Sequence, residues 1–502
     1  MKNNTLLRHG FKSGNYGVSK LSNAITGIND HLYPHLENAV RRADKIRLIT
    51  AFVMESGVKM LVPVLKDAAE RGVRIQLLTG KYLSITEPPA IYYLYDHLGD
   101  AIDIRFYDET VRSFHPKSYI FDFGDDGEIF VDSFNLSLTA LTTGVDLNFR
   151  ILKSKNPEDY KRFSETFDNL FHHHSKIVTK EILREYADGW VKPGFVRQEE
   201  RAAQVLDLPK PEPRGAQIEA LYYLKEARTE GVSKGVVVAA TGVGKTHLAA
   251  FDSLPFDRVL FIAHRYEIVK QAHDVFSTMR PGERMGYYMG DHKDPDADIC
   301  FSTVQTLSRD DNLQAFPPDY FDYVIVDEFH HAAAESYLKV LDYFKPKFLL
   351  GLTATPFRMD NKDIYALCDD NVIYEISLKQ SIERDLLVPF RYHAIYDATD
   401  YDQVKMSGGR YVIEDLENQL SHGIRADLII DNYRKFAGDR TLGFCVSIKH
   451  AEYMADYFAS HGVNAASVHS GEVGSPHTMD RHGAVEALEN KDIEIIFAVD
   501  IF

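Results

Sequence analysis

Two hydrophobic periods alternate along this chain. Lys45 to Val53 reads as a buried strand, and the following Val58 to Arg71 places Leu61, Val64, Leu65 and Ala68 at helical spacing. Gly72 closes that helix, and Val73 to Leu78 predicts the next strand. Phe114 to Phe121 and Glu128 to Asp132 predict two further strands, separated by the turn Gly124-Asp125-Asp126-Gly127. A polar, mostly helical stretch follows, and Leu208-Pro209-Lys210-Pro211-Glu212-Pro213 reads as a linker. From there to about residue 378 strands and helices alternate again, and a third such block starts near 379 and runs to Phe502. The pattern predicts an α/β protein with a first domain over 1–175, a helical connector over 176–212, and parallel α/β lobes over 213–378 and 379–502.

Composition narrows the class. The 502 residues are 45% hydrophobic and 26% charged, as in ordinary globular proteins. No apolar run approaches the roughly 20 residues that span a bilayer, and the N-terminus lacks the apolar stretch of a signal peptide. Cys300, Cys368 and Cys445 are too widely spaced for a disulfide framework or a zinc site. A cytoplasmic protein without membrane contact is expected. The net charge of −17 excludes a protein that coats nucleic acid with its whole surface. It leaves room for one that grips phosphates through local patches and backbone amides.

Phosphate chemistry is written most clearly after Val236-Val237-Val238. This short apolar strand leads into Thr241-Gly242-Val243-Gly244-Lys245-Thr246, and a helix follows. The glycines let successive backbone N–H groups point at phosphate oxygens, and the helix N-terminus adds its partial positive charge. Lys245 supplies charge to the β and γ phosphates of ATP, and the Thr246 hydroxyl is placed for Mg²⁺. A second apolar strand, Tyr323 to Val326, ends in Asp327-Glu328-Phe329-His330. Asp327 is the expected Mg²⁺ partner, and Glu328 the group that orients the attacking water.

These segments resemble superfamily two helicases over about residues 213 to 502. Arg214-Gly215-Ala216-Gln217 resembles the motif whose glutamine, here Gln217, reads the adenine edge. Ala263-His264-Arg265 with Gln271, and Ser302 to Leu307, resemble the motifs that touch the nucleic-acid track. Asp327 to His330 resembles motif II, with His330 beside the nucleotide. Gly351-Leu352-Thr353-Ala354-Thr355-Pro356 resembles the motif that couples hydrolysis to the track. Cys445-Val446-Ser447, Ser467 to Gly471 and Ile495 to Asp500 resemble parts of the second motor lobe. Ala239 stands where the phosphate loop usually begins with glycine. The arginine-bearing motif that follows in the family would lie beyond Phe502, so the chain is read as a fragment of a longer protein.

Different residues mark the first domain. In Phe114-His115-Pro116-Lys117 and the following Asp122, itself counted among the candidate catalytic residues, a strand would project His115 and Lys117 from one face. Ser133 and Asn135 share a face after the next strand, so four polar groups could converge on one phosphate. His115 is the candidate nucleophile. Lys117, Ser133 and Asn135 are candidates for holding phosphoryl oxygens, and Asp146 for orienting the imidazole. The pattern resembles the HKD motif of the phospholipase D superfamily over about residues 35 to 155, including Phe52 to Gly57 and Arg71-Gly72-Val73. Asp132 replaces the family's usual glycine and Asp146 its usual glutamate. A single motif implies two chains pairing across a dyad, hence a homodimer through this domain. No cluster of carboxylates suggests two-metal cleavage, so the nuclease step is expected to need no metal and the ATPase to need Mg²⁺. His172-His173-His174 would fan around a helix axis and is read as a solvated helix end. Trp190 and Tyr186 are read as packing the connector.

The architecture resembles ATP-dependent, modification-dependent (Type IV) restriction endonucleases of bacteria, which implies double-stranded DNA, possibly modified, as the substrate. The alternative is a repair or RNA-processing helicase whose first domain binds nucleic acid without cutting it.

Overall fold

The computed structural model describes residues 23–193 and 211–499, apart from 27, 29, 82–83, 109–113, 133–135, 143–146, 291, 356–363, 398–403, 408–409, 421–422 and 471–473. Contact clustering divides the chain into one compact unit over Met1–Pro389 and a second over Phe390–Phe502.

The first unit holds two sheets. Among the described residues, strands β1 (Ala24–Ile25), β2 (Lys45–Thr50), β3 (Arg74–Thr79), β4 (Ile102–Tyr107), β5 (Lys117–Phe123), β6 (Asp126–Val131), β7 (Asn148–Leu152) and β8 (Ser175–Ile177) form one sheet. Its order is β1-β7-β6-β5-β2-β3-β4-β8. β2, β3 and β4 run parallel, with the helices Glu55–Glu70 and Pro88–Leu98 as crossovers. β5, β6 and β7 form an antiparallel meander joined to β2. Val58, Leu61, Val62, Val64, Leu65 and Ala68 bury the predicted helical face. The β5–β6 turn is tighter than the sequence suggests: Phe123 already pairs with Asp126, leaving Gly124-Asp125 as a two-residue loop with Gly124 at φ +60°.

The second sheet has the order β12-β11-β13-β10-β14-β15-β9-β16. Its strands are β9 (Lys234–Ala239), β10 (Val259–Ala263), β11 (Met285–Met289), β12 (His292–Lys293), β13 (Ile299–Thr303), β14 (Tyr323–Val326), β15 (Phe348–Thr353) and β16 (Val372–Ile376). All neighbours are parallel except the edge strand β12. The buried strands are unbroken apolar runs, as a parallel sheet covered on both faces requires.

One helix joins the two sheets. In Ala216–Thr229, Ile218 and Tyr222 pack into the core of the first domain, while Ala216, Ala220 and Leu224 pack against the second sheet. A helix that is apolar on opposite faces is buried between two bodies rather than laid on one. Tyr92 and Tyr223 close the contact with a 2.5 Å hydroxyl–hydroxyl hydrogen bond. The connector also packs on the first domain: Trp190 Nε1 donates to the Ser84 carbonyl, and the Tyr186 hydroxyl to that of Thr86.

The second unit carries the antiparallel ribbon β17 (Met406–Ser407) and β18 (Arg410–Tyr411). Its parallel sheet has the order β19-β21-β20, formed by Thr441–Phe444, Ile495–Ala498 and Ala465–Val468 respectively. The helix Ile448–Ser460 covers it through Ala451, Met454, Ala455 and Phe458. Ser447 caps that helix by accepting the His450 amide.

Candidate active sites

The C-terminal ends of β9, β15, β14, β10 and β13 lie along one edge of the second sheet. Parallel α/β sheets bind ligands at this edge. β9 and β14 flank β15, so the loop after Ala239 and the acids after Val326 face each other across the end of Thr353. Gly242 and Gly244 both sit at φ +92°, the left-handed backbone that turns successive amides inward. Thr241, Gly242 and Val243 form the turn, and Lys245 and Thr246 open the helix Lys245–Asp252. Lys245 Nζ donates to the Ala239 carbonyl at 3.0 Å across the mouth of this loop. Burial lowers the Lys245 pKa, and the Asp327 and Glu328 charges oppose that shift.

Asp327 is nearly buried, and burial raises its carboxyl pKa to about 6. Glu328 sits at φ +52° and is drawn the other way: its hydrogen bond with His330, 3.2 Å from Nδ1, lowers its pKa. Two adjacent acids are thereby placed in opposite environments, which separates their roles. A buried carboxylate with few partners, a lysine and a threonine hydroxyl around a ring of amides fit a Mg²⁺-bound nucleoside triphosphate. Thr246 and Asp327 would hold the metal, and Lys245 and the loop amides the phosphates. The bound Mg²⁺ would neutralise charge on the phosphate oxygens. Glu328 would be left to orient water, with its carboxylate held by His330.

Gln217 links this loop to the segment before it. Its Nε2 donates toward the Val243 and Gly244 carbonyls at 3.4 and 3.3 Å, and its Oε1 accepts the Arg214 amide at 3.1 Å. The side chain therefore stands at the rim of the phosphate loop.

In the first domain, β5 begins at Lys117, so His115 precedes the strand instead of lying on it. Its alternation with Lys117 is not set by a strand pleat. The His115 ring is exposed and packs edge-on against Phe52, with centroids 5.9 Å apart. Lys117 Nζ donates to the His115 carbonyl at 3.3 Å. Burial lowers the Lys117 pKa, against the opposing charge of Asp132. The Asp132 amide donates to the Lys117 carbonyl at 3.0 Å, and the Leu136 amide to that of Phe52 at 3.3 Å. Asp132 and Leu136 are thus held near Lys117 and near Phe52, the ring against which His115 packs. Ser133, Asn135 and Asp146 themselves lie outside the described residues.

Asp122 is a correction. It sits five residues along β5 from Lys117, on the order of 16 Å away at strand rise. There it accepts from Arg47 and the Tyr160 hydroxyl, both at 2.8 Å. Arg47 is itself buried. Asp122 compensates that buried charge at the far end of the strand and is not brought to the His115 end.

Comparison with known proteins finds a match for each of the two domains. Residues 34–171 match the family described as "Cardiolipin synthase, PLD-like domain", and residues 210–358 that described as "Type III restriction enzyme, res subunit". The chain is 28% identical over 276 residues to the type I restriction enzyme EcoAI endonuclease subunit of Escherichia coli, covering 48% of this chain and 33% of that one. It is 26% identical to the DNA 3'-5' translocase XPB2 of Sulfurisphaera tokodaii, covering 48% and 53%. The chain thus holds one domain similar to phospholipase D-like domains and one similar to restriction-type helicase/ATPase domains. The chain therefore spans about a third of the EcoAI subunit and about half of the translocase. A solved fragment assigned to the HsdR subunit of a type I restriction enzyme from Vibrio vulnificus YJ016 aligns with a TM-score of 0.46 at 21% identity, over 69% of this chain and 68% of that one. Among the described residues no helix is long and apolar enough to cross a membrane.

The sequence named most of the following groups but did not show how they pack. Gly351 of the helicase/ATPase domain has no room for a side chain, because a Cβ there would meet the Phe329 ring at 2.6 Å. Leu386 and Leu387 cover Gly215 and Gly242, close enough that a Cβ would meet them at 2.7 and 2.9 Å. The rings of His264, His331 and His330 pack in a row at tilted angles, with centroids 4.6 and 4.2 Å apart. In the phospholipase D-like domain, Gly57 lets the helix Glu55–Glu70 approach Leu136. A glycine three residues into a helix was the available signal.

Proposed function

We propose that this protein is an ATP-dependent DNA endonuclease and translocase of the modification-dependent restriction type, in which the HKD site cuts and the helicase-type ATPase moves the chain along double-stranded DNA. The observation that carries the reading is the placement of His115 and Lys117 near Asp132 and Leu136, in a unit continuous with the phosphate loop. In the cleavage step a His115 ring nitrogen attacks phosphorus and the bridging P–O bond breaks. A second histidine, from the same motif of a partner chain, protonates the leaving oxygen. Water then cleaves the P–N bond and returns the imidazole. Lys117, Ser133 and Asn135 hold the phosphoryl oxygens and Asp146 orients the imidazole, so no metal enters this step. The ATPase uses Mg²⁺ through Thr246 and Asp327.

Purified chain incubated with plasmid DNA in EDTA tests the cutting site. Cleavage that survives chelation and disappears in His115→Ala is expected. Cleavage that requires a divalent metal, or that persists in the variant, removes the phosphohistidine assignment.

A second reading draws on Asp132. Its charge acts on Lys117, and its amide binds the Lys117 carbonyl. A carboxylate this close opposes phosphate binding, which favours a repair or RNA-processing helicase with a non-cutting first domain. The protein given ATP, Mg²⁺ and methylated DNA separates the two: cutting supports restriction, and ATP turnover without cutting supports the helicase.

A further inference from the structure

The loop that leads to Gln217 is held from the neighbouring domain. Residues 213–215 cross the first turn of the helix Glu55–Glu70. The Glu55 carboxylate accepts the Gly215 amide at 3.0 Å, and the Lys59 ammonium donates to the Pro213 carbonyl at 2.6 Å. Lys59 pairs with Glu55 at 2.8 Å, with the two side chains only 14% and 19% exposed. Gly215 lies at φ +49°, so the direction of its amide is set by a backbone conformation that glycine favours. Beside this contact opens a cavity of about 480 Å³ lined by Glu55, Lys59, Met60, Arg214, Gly215 and Leu386.

The same helical turn grips the segment after the nuclease loop. The Met54 amide donates to the Leu136 carbonyl at 3.1 Å, and the Leu138 amide to the Ser56 hydroxyl at 3.3 Å. One turn of helix therefore touches the 213–215 segment on one side and the residues just past 133–135 on the other.

We propose that Glu55 and Lys59 are positioning residues for the nucleotide site, setting its affinity and base preference from within the phospholipase D-like domain. The inference rests on reading Gln217 to Lys245 as the ATP site. Gln217 can read a base edge only if its amide is held in one orientation, and that orientation depends on the Arg214 amide it accepts. Arg214 lies between the two anchored residues, Pro213 and Gly215. A charge-assisted hydrogen bond to Gly215 and a second anchor at Pro213 restrict this segment before nucleotide arrives. Base discrimination by hydrogen bonding depends on such preorganisation, because it is the mismatched, unpaired polar group that rejects the wrong base.

The test uses the full chain and measures displacement of a ribose-labelled fluorescent ATP analogue by ATP and by GTP. Wild type, Glu55→Ala, Glu55→Gln, Lys59→Met and Lys245→Ala are compared, each with its melting temperature in the absence of nucleotide. Glu55→Ala and Lys59→Met are expected to weaken ATP about three- to tenfold while GTP changes little, so the ATP preference narrows. Glu55→Gln keeps an acceptor for Gly215 and is expected to recover most of it. Wild-type ATP affinity and preference in both variants would overturn the inference. So would an equal loss of ATP and GTP that follows a lowered melting temperature, which is the signature of a purely structural role. Lys245→Ala keeps the two readings apart. Binding by wild type that is lost in Lys245→Ala upholds the ATP site whatever Glu55 does, whereas a wild type that binds no ATP overturns the site and the inference together.

Discussion

His330 Nδ1 lies 3.3 Å from the hydroxyl of Thr353, so the strand-end threonine of β15 touches the histidine that also holds Glu328. Thr353 in turn accepts the Thr355 amide at 3.2 Å. Glu328 and the segment beginning at Thr353 thus share one imidazole.

That shared imidazole predicts a shift in pH dependence. The His330 hydrogen bond is the largest cause of the lowered Glu328 pKa. In His330→Ala this cause is gone, the Glu328 pKa rises, and the carboxylate is lost at a higher pH as solutions are acidified. The acid limb of the ATPase pH profile should move to higher pH. Turnover at neutral pH should fall on the order of tenfold, the equivalent of about 1.5 kcal/mol for a hydrogen bond to a charged group. Steady-state ATPase rates from pH 5 to 8 check both. Thr353→Val should leave the acid limb in place and reduce stimulation by DNA.

Asp327 predicts a trade between stability and function. Its folded pKa of about 6 lies above the 3.8 of an ordinary aspartate, so the folded chain binds the proton more tightly than the unfolded chain. Stability from this group is then greatest at low pH and is lost as pH rises between those values. By pH 7 the ionised, buried carboxylate costs up to about 3 kcal/mol. Asp327→Asn removes that cost and should raise the melting temperature of the nucleotide-free chain at pH 7 while abolishing ATP hydrolysis. The gain should shrink as pH falls through 6. A gain that is the same at pH 5 and pH 8 would show that the carboxylate is not the source.

How much of this was legible in the sequence depends on whether a residue's partner was local. The phosphate loop and the Asp327-Glu328 pair could be read directly, because each follows a continuous apolar strand and its chemistry lies within a few residues. Asp122 was counted as catalytic from its spacing after His115 and Lys117, but spacing along a strand does not say which end of the sheet a residue serves, and its partner Arg47 comes from another strand. His115 was expected on β5, but Pro116 follows it and the strand begins only at Lys117. The contacts of Glu55 with Gly215 and of Glu219 with Arg384 span 160 and 165 residues, and no local pattern encodes them.

Gly57 predicts a packing defect confined to the nuclease side. A Cβ at this position would lie 2.5 Å from the Leu136 carbonyl oxygen and 2.8 Å from the Ser137 amide nitrogen. Both are backbone atoms and cannot rotate away. Gly57→Ala should push the segment after residue 135 off the helix and destabilise the first domain by about 1–3 kcal/mol. Hydrogen exchange should show faster exchange at 136–142, with DNA cleavage reduced more than nucleotide binding. Unchanged exchange at 136–142 would contradict the close approach.

The buried pair of Glu219 and Arg384 gives the last prediction. Both side chains are at most 5% exposed, their atoms approach to 2.9 Å, and Tyr374 donates to Glu219 at 2.9 Å. Arg384 also reaches the Ala187 carbonyl, so the cluster joins the connector, the bridging helix and β16 at one point. Taking Glu219 away leaves the buried Arg384 charge with only the weaker pull of Asp188 to offset it. Glu219→Ala should therefore destabilise the first unit by roughly 3–5 kcal/mol, measured by urea unfolding. Replacing the whole cluster with apolar groups is a different experiment. In the triple variant Glu219→Leu, Tyr374→Phe, Arg384→Met no buried charge or hydroxyl is left behind, and the Ala187 carbonyl keeps the Trp190 amide at 3.2 Å. That variant should recover most of the lost stability. If it unfolds as readily as Glu219→Ala, the ion pair itself, rather than the cost of leaving one charge unpaired, holds the two domains together.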